Sequence, residues 1–103
     1  MTLHLVLRPE VEAEVTKAYL WYKRRSPSAG TAFLRAVDDR IESIRADPER
    51  YRLVYRHARR ALLSRFPYAL YFGLAGSDVV VVACCHTRRR PSHWQSRVRK
   101  FLR

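Results

Sequence analysis

The run VVVVACC at residues 79–85 constrains the fold more than any other stretch of this chain. Successive side chains of a strand point to opposite faces, so this run is apolar on both. A strand without a polar face must be covered on both sides. Gly76 and Ser77 precede the run and predict a turn from the segment YALYFGL at 68–74. We therefore expect 68–74 and 78–86 to be antiparallel neighbours, with 78–86 as a central strand.

Two further segments have the composition of strands. LHLVL at 3–7 stops before Pro9, and ARRALLSRF covers 58–66. Pro67 interrupts the chain after it and predicts a bulge or the start of the next strand. The first strand has no neighbour within reach of a tight turn. We expect it to pair with a later strand of the same sheet, most simply the central one.

Between the first two strands, apolar residues recur at the spacing of amphipathic helices. One stripe is Val11, Val15, Ala18, Tyr19 and Tyr22, and the other is Phe33, Leu34, Val37, Ile41 and Ile44. The basic turn KRRSPSAG joins them into an antiparallel hairpin, which closes before Pro48. Trp21 lies off the first stripe, which predicts partial exposure and makes it a candidate partner contact.

The tail PSHWQSRVRKFLR predicts a short basic helix, with the Ser92 and Gln95 spacing of a capping box. Trp94 would anchor this helix on the domain, and His93 would have a structural role. The whole chain, residues 1–103, is thus predicted to be one α+β domain of order β-α-α-β-β-β. Its helical hairpin would pack on one face of a mainly antiparallel four-stranded sheet, followed by the short C-terminal helix or tail.

The charge is lopsided, with 21 Lys and Arg against 9 Asp and Glu and a net charge of +12. Nearly all of these cations are arginines, which bind phosphate or carboxylate groups through two hydrogen bonds at once. The composition therefore favours an anionic partner, either nucleic acid or an acidic protein segment. The candidate anion- or partner-binding residues are Arg59, Arg60, Arg88, Arg89 and Arg90.

Other classes of function lack support in the sequence. The four histidines are scattered without metal-ligand spacing, and no glycine-rich loop could cradle a phosphate, so we expect no metal and no cofactor. Cys84 and Cys85 are adjacent, and a bond between them would be strained, so two buried thiols are expected. No signal peptide or membrane span is predicted, and we expect a cytoplasmic protein without a membrane partner.

One pair of residues suggests catalysis. Arg65 lies near the end of one predicted strand and His86 at the end of another, so their side chains could converge on one edge of the sheet. A histidine that moves protons and an arginine that stabilises a phosphorane suit RNA cleavage. No general base is identified beside them. The alternative is a solvated exit from the core, where runs of arginine usually lie.

The chain resembles the toxins of the RelE/ParE superfamily from type II toxin–antitoxin, or plasmid stabilisation, systems. The resemblance spans nearly the whole chain and rests on three features in order: LRPEVEAEVTKAYLWY, DPERYRLVYRHARRALLSRFPYALYF and VVVVACCHTRRRPSHW. It implies the β-α-α-β-β-β fold. It also implies a cognate antitoxin whose flexible acidic segment folds on binding, which would suit the basic charge.

The superfamily divides by target. RelE-like members cut mRNA in the ribosomal A site, whereas ParE-like members inhibit DNA gyrase without a nuclease site. Arg65 matches the strand arginine of the nucleases, and His86 lies near the position where some of them keep a catalytic histidine. Arg59 and Arg60 stand where those nucleases have a lysine pair, and no tyrosine follows His86.

The segment HTRRRPSHW, with arginines followed by proline and tryptophan, is common in ParE-like sequences. The resemblance therefore favours the ParE-like branch. It implies a growth inhibitor that acts on DNA gyrase and is not an enzyme. The alternative is a ribosome-dependent mRNA endoribonuclease in which Arg65 and His86 are catalytic. A further alternative is a basic binding module without activity.

Overall fold

The computed structural model describes residues 3–102. Strand β1 is followed by two helices, four strands and a last helix. Their bounds are β1 His4–Leu7, α1 Pro9–Arg25, α2 Pro27–Ala46, β2 Arg52–Tyr55, β3 Ala58–Leu62, β4 Tyr68–Ala75, β5 Asp78–His86 and α3 Pro91–Phe101. A single 3₁₀ turn, Pro48–Arg50, connects α2 to β2. The predicted α+β class and the helical hairpin are confirmed.

The sheet has the order β1-β5-β4-β3-β2, with β1 parallel to β5 and the other pairs antiparallel. The predicted pairing of the first strand with 78–86 is confirmed. The predicted number of four strands is wrong, because β2 is a fifth. It escapes prediction because it has only four residues, two of them exposed. Its turn to β3 also lacks the expected glycine and uses Arg56 at φ 52°.

The second predicted strand is shorter than expected. β3 ends at Leu62, and residues 63–67 form a loop before β4. Arg65 has φ 70° there, a left-handed conformation that cannot continue a strand. Pro67 stands directly before β4, as its missing N–H would suggest.

The hairpin of α1 and α2 covers one face of the sheet, which we call the hairpin face. Ser26 alone separates the two helices, and Pro27 begins α2 in the position where a proline costs no hydrogen bond. The core on this face combines both predicted stripes with inward residues of the sheet. Its fully buried members include Val11, Phe33, Ile44, Leu70, Phe72, Val79 and Val81.

Helix α3 covers part of the opposite face, which we call the α3 face. Trp94 stacks on the Tyr71 ring at 4.2 Å between centroids and 10° between planes, so the predicted anchor is confirmed. Leu102 packs so tightly on β4 that a Cβ at Gly73 would lie 2.7 Å from its Cδ1 atom. The predicted capping box is wrong, because α3 begins at Pro91 and has no side-chain cap.

Candidate functional site

A cleft opens between the outer side of α1 and the last residues of β5. Its volume is about 340 Å³. The wall from α1 is formed by Glu14, Lys17, Ala18, Leu20, Trp21 and Arg24, and the wall from the sheet by Tyr68, Cys84, Cys85, His86 and Arg89. All of these residues except Arg89, which follows β5, belong to helices or strands, so the fold holds the shape of the cleft.

The cleft exists because β1 is much shorter than β5. The pairing ends at Leu7 with Val81, and the Arg8 N–H still donates to the Val81 carbonyl at 3.1 Å. Beyond this point β5 continues to His86, and no strand among residues 3–102 pairs with it on that side. Backbone groups of a buried strand need partners, and side chains supply them here. Glu14 Oε1 accepts from the Cys84 N–H at 3.0 Å, and Arg97 donates to the Val82 carbonyl at 3.1 Å.

Glu14 also joins α1 to α3 through a shared ion pair. Arg97 donates to both carboxylate oxygens, at 2.8 and 3.0 Å, and His93 Nε2 lies 2.8 Å from Oε2. About a fifth of each of these three side chains is exposed. Glu14 and Arg97 are not among the site residues predicted from the sequence. The available signal was an acid placed between Val11 and Ala18 on the buried stripe, since such acids are usually paired.

A β-bulge decides which side chains of β5 reach the cleft. Phe72 pairs with Val81 and Tyr71 with Ala83, so Val82 is an extra residue. An extra residue reverses the alternation of side chains beyond it. Val79 and Val81 face the hairpin before the bulge, and Cys84 faces it afterwards. His86 shares this parity and therefore faces α1 rather than α3.

His86 is held in place by its neighbours in the sheet and in the following turn. Its ring lies 5.4 Å from that of Tyr68, its cross-strand partner. The backbone N–H of Arg88 donates to His86 Nδ1 at 3.1 Å. The neutral ring therefore carries its proton on Nε2. The Arg89 N–H donates to the His86 carbonyl at 2.9 Å, which fixes the turn.

The rim of the cleft is cationic and its α1 wall is apolar. Lys17, Arg24 and Arg89 line it, whereas its one carboxylate, Glu14, is neutralised by Arg97. Leu20 and Trp21 remain 43% and 46% exposed, which confirms the predicted exposure of Trp21. The Arg25 guanidinium lies 3.4 Å above the centre of the Trp21 ring and orients it.

The two cysteines are poor nucleophiles. Burial, with the nearby Glu14 charge, raises the pKa of Cys84 to about 12, and burial likewise raises that of Cys85 to about 11. Only a small fraction of either thiol would ionise near neutral pH, and the thiolate is the reactive form. Both are free and buried, as the sequence predicted.

The fold and the sequence have relatives among known proteins. A family model described as the ParE toxin of the type II toxin–antitoxin system parDE matches residues 5–91. The chain belongs to the ParE toxin family. A solved structure, "Chromosomal ParDE TA system from P. aeruginosa", aligns over 82% of this chain and 96% of its own with a TM-score of 0.74. At 12% identity this likeness shows the fold alone. No curated protein matches the chain.

The ParE family match ends where α3 begins, so the ion pair of Glu14 with Arg97 lies partly outside it. Arg65, the residue matched to the nuclease arginine, is not in the cleft. It is exposed in the loop before β4 and lines a separate depression of about 190 Å³ with Arg35, Asp39 and Phe66. The Thr87 N–H does donate to the Pro67 carbonyl at 2.9 Å. The loops of Arg65 and His86 are thus adjacent, but the two side chains line different depressions.

Arg59 and Arg60 point to opposite faces of β3. Arg59 donates to the carbonyls of Glu49 and Tyr51 at 3.1 and 2.6 Å, so its guanidinium fastens the chain before β2. Arg60 lies on the α3 face beside its cross-strand partner Tyr71. The two arginines therefore cannot act as a pair on one surface.

Arg88, Arg89 and Arg90 are all exposed in the turn from β5 to α3. Of the three, Arg89 lines the cleft and Arg90 immediately precedes α3. Among residues 3–102 no group of three His, Cys, Asp or Glu could hold a metal ion. Within the same range no helix is both long and apolar enough to cross a membrane.

Proposed function

We propose that this ParE-family chain is a growth-inhibiting toxin that acts on DNA gyrase through the cleft and is neutralised by an antitoxin with an acidic segment. The observation that carries the proposal is the combination of a cationic rim with exposed apolar groups. Lys17, Arg24 and Arg89 surround the cleft, and Leu20 and Trp21 stand beside it. Such a surface suits a protein partner that presents carboxylates around an apolar anchor.

An acidic segment that folds on binding would meet both requirements of this surface. Its carboxylates would pair with the rim, and an apolar side chain would cover Trp21. Ordering a flexible segment has an entropic cost, so the apolar contact must supply part of the binding energy. An antitoxin bound in this way would cover the surface that gyrase contacts, which would explain neutralisation.

The contacts of the cleft support an action without RNA cleavage. Transphosphorylation needs a general base within reach of the attacking hydroxyl. Glu14 is the only carboxylate that lines the cleft among the described residues, and it already binds Arg97, His93 and the Cys84 N–H. Arg65 lies in another depression. His86 and Arg89 alone do not form a complete catalytic set.

One observation favours the alternative of an mRNA endoribonuclease. His86 and Arg89 line the same cleft, and the neutral tautomer of His86 leaves its Nε2 proton available. A ribosome could supply the missing groups, as the resemblance to the RelE-like toxins implies. The third possibility, a basic binding module without activity, would leave the cleft as a partner surface only.

The decisive experiment measures both activities on the same preparations. Wild type, His86→Ala and Arg65→Ala are added to a gyrase supercoiling reaction and, in parallel, to a translating extract in which mRNA ends are mapped. We expect inhibition of supercoiling by all three proteins and intact transcripts. Ribosome-dependent cuts that disappear with Arg65→Ala or His86→Ala would establish the nuclease instead. Inertness in both reactions without growth arrest would leave the binding module.

The antitoxin component has its own test. The acidic product of a small reading frame adjoining this one is titrated onto wild type and onto a triple variant, Arg88→Gln with Arg89→Gln and Arg90→Gln. We expect the triple variant to bind more weakly, with a flatter dependence of affinity on salt. Unchanged affinity at low salt would show that the antitoxin docks on other residues.

A further inference from the structure

The net positive charge of the chain comes entirely from its second half. Residues 1–49 carry eight Lys and Arg and eight Asp and Glu, and are neutral. Residues 50–103 carry 13 Lys and Arg and a single acid, Asp78, which accounts for the whole net charge of +12. The neutral half forms β1, α1 and α2, whereas the basic half forms the other four strands and α3. The helices that cover the hairpin face are therefore part of the neutral half, and α3 on the opposite face is part of the basic half.

Part of this charge gathers on the α3 face at the end of the sheet. Arg52 and Arg60 are directly paired across β2 and β3, on the same face as Ala58 and Tyr71. From α3, Arg99 donates to the Tyr55 hydroxyl at 3.1 Å, and the Arg56 guanidinium lies 5.4 Å from the Tyr55 ring. We call Arg52, Arg56, Arg60 and Arg99 the arginine face.

The arginine face carries uncompensated charge. Within the described residues, Arg97 is the only lysine or arginine after Arg50 that has a carboxylate within 4.0 Å. The hydrogen bond from Arg99, with the charge of Arg56 nearby, lowers the pKa of Tyr55. Like charges directly opposite each other on neighbouring strands destabilise a sheet. Arg56 also occupies a left-handed position at φ 52°, which glycine or asparagine would fill at lower cost.

We infer that the arginine face binds the phosphodiester backbone of a nucleic acid. Arg52 and Arg60 are cross-strand partners, and the Cα atoms of such partners lie about 5 Å apart. Their guanidinium groups can therefore contact consecutive phosphates of one backbone, each through two hydrogen bonds. Binding would relieve the repulsion between Arg52 and Arg60. Contacts of this kind position a protein on nucleic acid without selecting a base sequence.

An acidic peptide fits the arginine face less well. A segment that folds on binding needs apolar anchors, and the cleft offers Leu20 and Trp21 for that purpose. On the α3 face of the described sheet, Leu62 is the one large apolar side chain that is mostly exposed, at 52%. The partner of the arginine face would accordingly be recognised by its charge. This inference does not depend on the gyrase target or on the antitoxin.

The test compares two triple variants that remove the same charge. Arg52→Gln, Arg60→Gln and Arg99→Gln remove three of the four cations of the arginine face, and Lys23→Gln, Arg35→Gln and Arg45→Gln remove three cations from the helical hairpin. Fluorescence anisotropy measures binding of a labelled DNA duplex of about 20 base pairs and of a single-stranded RNA of equal length, over a salt series from about 50 mM. Thermal unfolding by circular dichroism checks that both variants fold.

We expect the first triple variant to bind the duplex at least about tenfold more weakly at low salt, with a salt slope reduced by about 2–3. The hairpin variant should match wild type within about twofold. Loss of RNA binding in parallel would identify the shared backbone as the ligand, and loss with the duplex alone would identify DNA. Equal losses in both variants, no binding at low salt, or equal affinity for poly-glutamate would overturn the inference.

Discussion

The two faces of the sheet differ in the size of the core that covers them and in the charge beside it. On the hairpin face, α1 and α2 extend over 17 and 20 residues and bury a core that includes the largest fully enclosed side chains, Phe33 and Phe72. On the α3 face a helix of 11 residues and the residue after it cover β4 and β5 with Trp94, Val98 and Leu102. This helix does not cover β2 or the adjacent part of β3, where Arg52 and Arg60 lie. The hairpin face therefore encloses the larger core, and the α3 face carries the arginine face beside its smaller one.

The cleft lies where the two faces meet. Glu14 belongs to the hairpin, yet its carboxylate binds Arg97 of α3 across the free edge of β5. This ion pair ties the shorter helix to the larger core. If the two faces differ in this way, substitutions should lower the free energy of unfolding most on the hairpin face and less at this junction. A substitution on the arginine face should raise it.

The largest effect is expected on the hairpin face. Phe33 is fully buried and stacks on Tyr22 at 5.2 Å between ring centroids. Phe33→Ala removes a ring from a core that cannot refill the space, at a cost of about 3–5 kcal/mol in the free energy of unfolding. Urea unfolding followed by circular dichroism measures it. A loss below about 1 kcal/mol would mean that this core is loosely packed.

The second-largest loss of stability is expected at the ion pair between Glu14 and Arg97. Glu14→Gln leaves the Arg97 guanidinium partly buried without a charged partner, and we expect a loss of about 2–3 kcal/mol. The value lies below that of a fully buried pair because about a fifth of each side chain is exposed. Glu12→Gln, on the exposed side of the same helix, is the control and should change stability by less than about 0.5 kcal/mol. Equal effects of the two variants would show that the ion pair contributes nothing specific.

The thiols of Cys84 and Cys85, which lie on opposite faces of β5, should make the stability of the fold depend on pH. The folded pKa values of Cys84 and Cys85, about 12 and 11, exceed those of thiols in the unfolded chain. A raised folded pKa means that the unfolded state loses its protons first. The contribution of the thiols to the free energy of unfolding is then fully present below about pH 8.5. It falls above that pH, by up to about 1.4 kcal/mol per pH unit for each thiol.

Half-buried Tyr68 and buried Tyr71 act in the same direction, because desolvation raises the pKa of both. The contribution of the thiols is therefore the difference between wild type and a variant with Cys84→Ala and Cys85→Ala. Urea unfolding at a series of pH values from about 7 to 10 measures it. Parallel curves for the two proteins would contradict the raised pKa values.

The smallest effect is expected on the arginine face, and with the opposite sign. Arg52→Gln removes a like charge opposite Arg60 and should stabilise the sheet by about 0.2–1 kcal/mol. Lys23→Gln, on the hairpin, removes the same charge from a neutral half of the chain and is the control. Destabilisation by Arg52→Gln would show that this arginine is part of the structural framework. It would also remove one argument for a nucleic-acid surface.

The elements that could be predicted from the sequence are those with a strong apolar pattern. The helical stripes of α1 and α2, the run of β5 and the anchor Trp94 each indicate burial by residue type and spacing alone. β2 lacks such a pattern, because it is short and half exposed. The loop of Arg65 was predicted as strand, since nothing in ARRALLSRF marks the left-handed residue that ends β3.

The candidate site depends on features that no local pattern reports. The bulge at Val82 turns His86 toward α1, but both faces of β5 are apolar, so a reversal of alternation leaves no trace in the sequence. Glu14 and Arg97 are 83 positions apart. Their contact follows from the short β1, which leaves the edge of β5 free. The sequence predicted a structural role for His93 from its place before the anchor Trp94, but not its contact with Glu14.

Gyrase-catalysed supercoiling tests most directly whether this ParE-family chain acts through the cleft, as we propose. The reaction is titrated with wild type, with a cleft variant carrying Lys17→Gln, Arg24→Gln and Arg89→Gln, and with the hairpin variant carrying Lys23→Gln, Arg35→Gln and Arg45→Gln. Wild type and the hairpin variant should inhibit equally, whereas the cleft variant should need at least about tenfold more protein. A cleft variant as potent as wild type, or a wild type without effect on gyrase, would contradict the account.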